Sequence, residues 1–129
     1  MQKFFRSRAY SFQNAIAGCW YVMHTQKNAW IHALATVLVV LLAIWLQLSL
    51  QSWSILLLAM GLVWMAECFN TALEALIDLS SPQFHPLAKI GKDVGAGAVL
   101  VSAFFAALVG FIIMGPPLWD RLGILFKGR

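Results

Sequence analysis

The sequence predicts an all-α membrane protein: an N-terminal amphipathic surface helix followed by three transmembrane helices. One feature of composition and two of charge placement lead there. The chain is 61% hydrophobic and only 11% charged, with a mean hydropathy of +0.79, well outside the range of ordinary soluble domains. No Asp, Glu, Lys or Arg occurs between Lys27 and Glu67, and none between Asp93 and Asp120. A bilayer core takes about 20 apolar residues per helix. The first run is therefore roughly two spans long and must fold back on itself, with Gln47, Ser49, Gln51, Ser52 and Ser54 as the natural polar turn. The second run supplies one span. The expected spans lie near 30–48, 53–77 and 90–114, within a single integral-membrane domain over 1–129. That domain divides into a surface helix (1–27), a three-span bundle (28–115) and a short tail (116–129).

The N-terminal segment differs in kind from the spans. Phe5, Ala9, Phe12, Ile16, Cys19 and Met23 recur every three or four residues, with Lys3, Arg6, Arg8, Gln13 and Asn14 between them. Such a helix lies in the headgroup region. Ser11, Gln13 and Asn14 interrupt any continuous apolar core, so a cleaved signal peptide is not expected. Cys19 and Cys68 have no metal-binding or redox spacing and read as small packing residues, with no disulfide expected. Basic residues set the orientation. Lys3, Arg6, Arg8, Lys27, Lys89 and Lys92 fall at one end of a three-span bundle, and Arg121, Lys127 and Arg129 at the other. The excess assigns the N-terminus and the 79–90 connection to the cytoplasm.

The second span ends in a polar stripe, AECFNTALEALID over residues 66–78. At about 100° per residue, Glu67, Asn70, Thr71, Glu74 and Asp78 fall within about 100° of arc, on one helix face. Glu67 lies about 16 Å below Asp78 along the axis, inside the apolar layer. The next helix repeats the arrangement with Lys89, Lys92 and Asp93. An acidic residue at a span end is often a simple interface residue, and Asp78 alone would be read so. A carboxylate deep in a span is costly and usually faces a functional interior; an ion-pair network with Lys89 and Lys92 is the structural alternative. His85 precedes Pro86 in a turn sequence, SSPQFHP, and reads as a helix-entry residue. His24 and His32 carry no signal.

Carboxylates and amide carbonyls are the hard oxygen ligands that Mg²⁺ prefers, and the ion typically takes one or two carboxylates together with substrate phosphates. A nearby Lys neutralises phosphate charge, and a carboxylate can act as general base toward an alcohol. These are parts for phosphoryl transfer. No GxxxxGK[ST] loop is present, so a nucleotide site would be built from helix faces. No nucleic-acid partner is expected.

At these residues the chain resembles a known family. Glu67-x-x-Asn70-Thr71-Ala72-x-Glu74-x-x-x-Asp78, followed by His85-Pro86-Leu87-Ala88-Lys89-x-x-Lys92-Asp93-x-x-x-Gly97-Ala98-Val99-Leu100, is similar to the signature of the small prokaryotic diacylglycerol kinases, which include undecaprenol kinases. The resemblance implies a homotrimeric bacterial inner-membrane enzyme, with active sites shared between subunits, that uses Mg-ATP to phosphorylate a lipid alcohol. It implies Glu67 as general base, Glu74 as metal ligand, Asn70 as an organiser of the nucleotide and metal site, and Lys92 with Asp93 in the nucleotide pocket. Gln26 stands where the family pattern often has a metal-binding Glu; its amide oxygen still ligates Mg²⁺ but brings no charge.

The small residues Gly91, Gly95, Ala98, Ser102, Ala106 and Gly110 permit close helix contact in lipid, either within a protomer or between protomers. Diacylglycerol and undecaprenol both stay open as acceptors. A different class of protein, a small proton-coupled transporter using Glu67 as relay, also fits a buried carboxylate but leaves Lys92 and Asp93 unexplained.

Overall fold

The computed structural model describes residues 2–81 and 83–127. Four helices make up these residues: α1 (Gln2–Thr25), α2 (Lys27–Trp45), α3 (Leu50–Ser80) and α4 (Pro86–Lys127). The last three are each long and apolar enough to cross a bilayer. Among the expected features that fall on the termini, Arg129 lies outside the described residues, as do the side chains of Lys3, Phe5 and Lys127.

The connections follow from local chemistry. The turn after α2 is narrower than the polar cluster suggests. It spans Leu46 to Ser49, and Gln51, Ser52 and Ser54 already belong to α3. Within it Gln47 adopts a positive φ of 55°. Ser49 then caps α3 by accepting the Ser52 N–H at 3.2 Å, satisfying one of the donors a helix start leaves unpaired. At the opposite end, Pro86 takes the first position of α4, where its missing N–H costs nothing, and His85 Nδ1 accepts the Leu87 N–H at 3.2 Å. His85 is thus the helix-entry residue its context suggests.

The third span departs from expectation. α4 does not stop near 114 but continues through Pro116 and Pro117 to Lys127, so residues 116–127 extend the helix where a tail was expected. The two prolines withhold N–H donors from the carbonyls one turn earlier, a local loss the rest of the helix carries. Its end is anchored: Arg121 Nη2 donates to Gln47 Oε1 at 3.3 Å, and the guanidinium lies 5.7 Å from the Trp45 ring centroid.

Packing is inverted relative to a soluble bundle. Leu34, Leu38, Leu58, Leu62, Phe104 and Phe105 are exposed, whereas Glu67, Asn70 and Thr71 are buried. α3 and α4 pack along each other, and α2 leans on them more loosely. A small apolar core of Ala43, Leu46, Leu56 and Met114 closes the bundle at the end away from the stripe. At the stripe end, α1 meets α3 where the Cys68 thiol contacts Cys19; both thiols are free. The small residues of α4 serve packing within the chain at two positions. A Cβ on Gly91 would come 2.9 Å from Ile77 Cδ1, and one on Gly95 would overlap the Asn70 side-chain oxygen.

Candidate active site

α3 is 31 residues long, about 46 Å at 1.5 Å per residue, against a hydrocarbon core of roughly 30 Å. One end must therefore reach the headgroup layer. The stripe occupies that transition, and the structure divides it into three stations at increasing depth.

The outermost station is a cleft of about 450 Å³ between the end of α3 and the start of α4, lined among others by Asp78, His85, Lys89, Lys92 and Asp93. Lys92 Nζ pairs with Asp78 Oδ1 at 2.5 Å, joining the two helices, and Lys89 Nζ pairs with Asp93 Oδ2 at 2.7 Å within α4. Both pairs are exposed to solvent on at least one side. Such pairs contribute about 0–1 kcal/mol, so they hold the lysines in place without locking them. Among the described residues the ion-pair alternative for the stripe is met by Asp78 and Lys92, and neither Glu67 nor Glu74 pairs with a lysine.

Seven residues deeper along α3 from the region of Ser81, Glu74 forms the middle station. Its carboxylate is bracketed by two amides: Gln26 Nε2 donates to Oε2 at 3.2 Å, and Asn70 Nδ2 donates to Oε1 at 3.2 Å. Gln26 comes from the α1–α2 junction, forty-eight positions away in the chain, and reaches Glu74 because α2 starts where α3 ends. Asn70 Oδ1 is buried without a hydrogen-bond partner among the described residues. The oxygen donors here suit Mg²⁺. Among the described residues no group of three or more His, Cys, Asp or Glu side chains forms a cage. Gln26 offers its N–H to Glu74, so its amide must turn over to present oxygen to a cation.

Glu67 is the deepest station and is 1% exposed. Thr71 donates its hydroxyl to the Glu67 carbonyl at 2.9 Å, a bond within the helix. Across from Glu67, on α2, stands His32, whose Nε2 lies 4.0 Å from Glu67 Oε2. His32 also sits at one end of an apolar groove of about 430 Å³ between α2, α3 and α4, which runs through Thr36, Val39, Met60, Val63, Ala106 and Gly110 toward Leu118. The loose packing of α2 leaves this groove. His32 escaped the sequence reading because nothing in a single chain aligns a residue of α2 with one on α3; only their antiparallel register does.

Three apolar helices with an ionisable face at one end describe a membrane-embedded enzyme, and comparison with known proteins says of which kind. The sequence model of the family described as prokaryotic diacylglycerol kinase matches residues 13–114, from α1 to well into α4 and including all three stations. An undecaprenol kinase of Bacillus subtilis is 36% identical over 118 residues, 92% of this chain and 93% of that protein. A diacylglycerol kinase of Synechocystis is 44% identical over 109 residues, 84% of this chain but 62% of that longer protein. A diacylglycerol kinase of Escherichia coli K12 is 29% identical over 119 residues, 87% of this chain and 94% of the relative. The chain belongs to the prokaryotic diacylglycerol kinase family and is a lipid kinase. The transporter reading gains nothing from any of these relatives.

Proposed function

We propose that the protein transfers the γ-phosphoryl group of Mg-ATP to the hydroxyl of a membrane lipid alcohol, diacylglycerol or undecaprenol. The observation that carries this is the position of Glu67, shielded from water and 4.0 Å from His32, which lines the apolar groove. A lipid whose hydroxyl meets Glu67 can lay its hydrocarbon along the groove, while the donor enters from the polar end of the same helix face. The nearness of Glu67 to His32 at the head of an apolar groove is what favours a lipid chain as the occupant.

In this reading Glu67 takes the hydroxyl proton, the freed oxygen bonds to the γ-phosphorus, and the bond to the β–γ bridging oxygen breaks to release ADP. General-base help of this kind contributes roughly 10²–10⁴-fold. Glu74, with Gln26 and the Asn70 amide beside it, would hold Mg²⁺, which when bound screens phosphate charge. Lys92 would leave Asp78 for the phosphates, and Asp93 lies in the same cleft. The site faces the cytoplasm of a bacterial inner membrane, a reading supported by Arg6, Arg8, Lys27, Lys89 and Lys92 at the stripe end. A homotrimer with shared sites belongs to the same reading. It is supported by the exposed Ala98 on α4, which lets another helix approach closely.

The test is phosphate transfer from ATP into extracted lipid by the purified protein, run with diacylglycerol and with undecaprenol separately. Labelled phospholipid from either alcohol supports the proposal, and the ratio of the two names the acceptor. Absence of label with both overturns it. Cross-linking in detergent reads the assembly.

A further inference from the structure

The contact between His32 and Glu67 is too long to be a hydrogen bond. At 4.0 Å it exceeds hydrogen-bonding distance, and a polar separation of this size asks for an atom between the two groups. One oxygen fits: a triangle with two sides of about 2.8 Å closes comfortably over that separation. The Glu67 side chain is 2% exposed and that of His32 15%, and of the two only His32 lines the groove. Whatever oxygen occupies the gap therefore arrives from the groove.

The imidazole is also held in place. Its ring meets Trp64 edge-on, with centroids 6.5 Å apart. The Trp64 indole N–H donates to Thr36 Oγ1 at 3.1 Å, and Thr36 in turn donates to the His32 carbonyl at 2.7 Å. A side chain held by a neighbouring helix at one end of the groove is placed to orient something.

We propose that His32 is a binding residue for the acceptor lipid: its Nε2–H donates to the acceptor hydroxyl oxygen and turns the O–H toward Glu67. This rests on the kinase reading above and extends it to a residue on a second helix. The Nε2–H is present both in the imidazolium and in one neutral tautomer, so the role needs no change of charge during turnover. The donor uses one oxygen lone pair, the hydroxyl hydrogen goes to Glu67, and the remaining lone pair is free for phosphorus.

Two substitutions separate this from a packing role. His32→Gln keeps an N–H at similar reach without the ring, and His32→Phe keeps a ring against Trp64 without the N–H. Both are assayed for lipid phosphorylation beside the unsubstituted protein, with kcat and KM taken separately for lipid and for ATP. His32→Phe is expected to lower kcat/KM for the lipid roughly tenfold, the scale of one lost hydrogen bond, with the ATP KM unchanged. His32→Gln should stay within about threefold of the unsubstituted protein. Full lipid efficiency in His32→Phe overturns the proposal and, with a loss in His32→Gln, would assign His32 to ring packing; an equal loss in both variants overturns it too, since the N–H that Gln keeps would then count for nothing. His32→Leu serves the same comparison where the Phe variant does not assemble. An unsubstituted protein that phosphorylates no lipid refutes the kinase reading itself, an outcome distinct from either of these.

Discussion

Gln26 and Glu74, forty-eight residues apart, meet through a 3.2 Å hydrogen bond in which the amide N–H of the α1–α2 junction caps the carboxylate of α3. An amide tolerates a lone carboxylate as neighbour; a second carboxylate would not without a cation between them. Gln26→Glu is therefore expected to lower the Mg²⁺ concentration needed for half-maximal activity several-fold and to lower the melting temperature in metal-free buffer. Magnesium titration at fixed ATP, with thermal denaturation with and without the ion, checks both. An unchanged magnesium requirement would remove Gln26 from the metal site.

Among the described residues Glu74 is the only carboxylate at the middle station, so its charge should matter more than its shape. Glu74→Gln keeps the size and the helix but leaves two neutral amides around a third. The expected outcome is at least about a tenfold rise in the Mg²⁺ requirement, by analogy with the 10–100-fold typical of perturbed metal shells, together with depressed turnover. Activity at saturating and limiting magnesium reads it, and near-normal values at both would exclude Glu74 as a ligand.

Glu67→Gln tests the base. The substitution removes the proton acceptor at a buried position while leaving a side chain of equal volume, so helix packing should survive. Lipid phosphorylation is expected to fall by at least ~10²-fold, with nucleotide binding retained. Nucleotide binding and phosphate transfer measured on one preparation decide the matter; retained transfer would end the base role.

Asp78 and Lys92 should separate stability from function. Their exposed ion pair supports the fold by no more than about 1 kcal/mol. Asp78→Asn is expected to shift thermal stability little, whereas Lys92→Met should raise the ATP KM by roughly tenfold, as loss of a charge-assisted phosphate contact does. Equal ATP KM values for Lys92→Met and the unsubstituted protein would place the phosphates elsewhere.

Gly95 predicts a steric effect on the site from the neighbouring helix. A Cβ there would overlap Asn70 Oδ1, and Asn70 is the second amide on Glu74. Gly95→Val should cost activity strongly while Gly97→Val, where a Cβ meets nothing, should not. Kinase assays on the pair, normalised to folded protein, make the comparison.

Much of this molecule is legible without its fold. Charge-free runs count the spans because an unpaired charge in hydrocarbon costs several kcal/mol, a penalty each residue carries whatever its neighbours. The stripe from Glu67 to Asp78 is legible because a helix repeats every 3.6 residues, so one element's face follows from spacing alone. The same logic places Pro86 and His85 at a helix start.

What only the tertiary structure decided concerns relations between elements. The antiparallel register of α2 and α3 brings His32 to Glu67 and Gln26 to Glu74. The loose seat of α2 leaves the groove. Gly91 and Gly95 turn out to make room for Ile77 and Asn70, a use that their spacing shares equally with contacts to another protomer. α4 runs on through two prolines, where sequence rules end a helix, and beyond them Arg121 meets the α2–α3 turn. Periodicity resolves directions within one helix but carries no information on which helix lies opposite, and that is set by packing summed over many weak contacts.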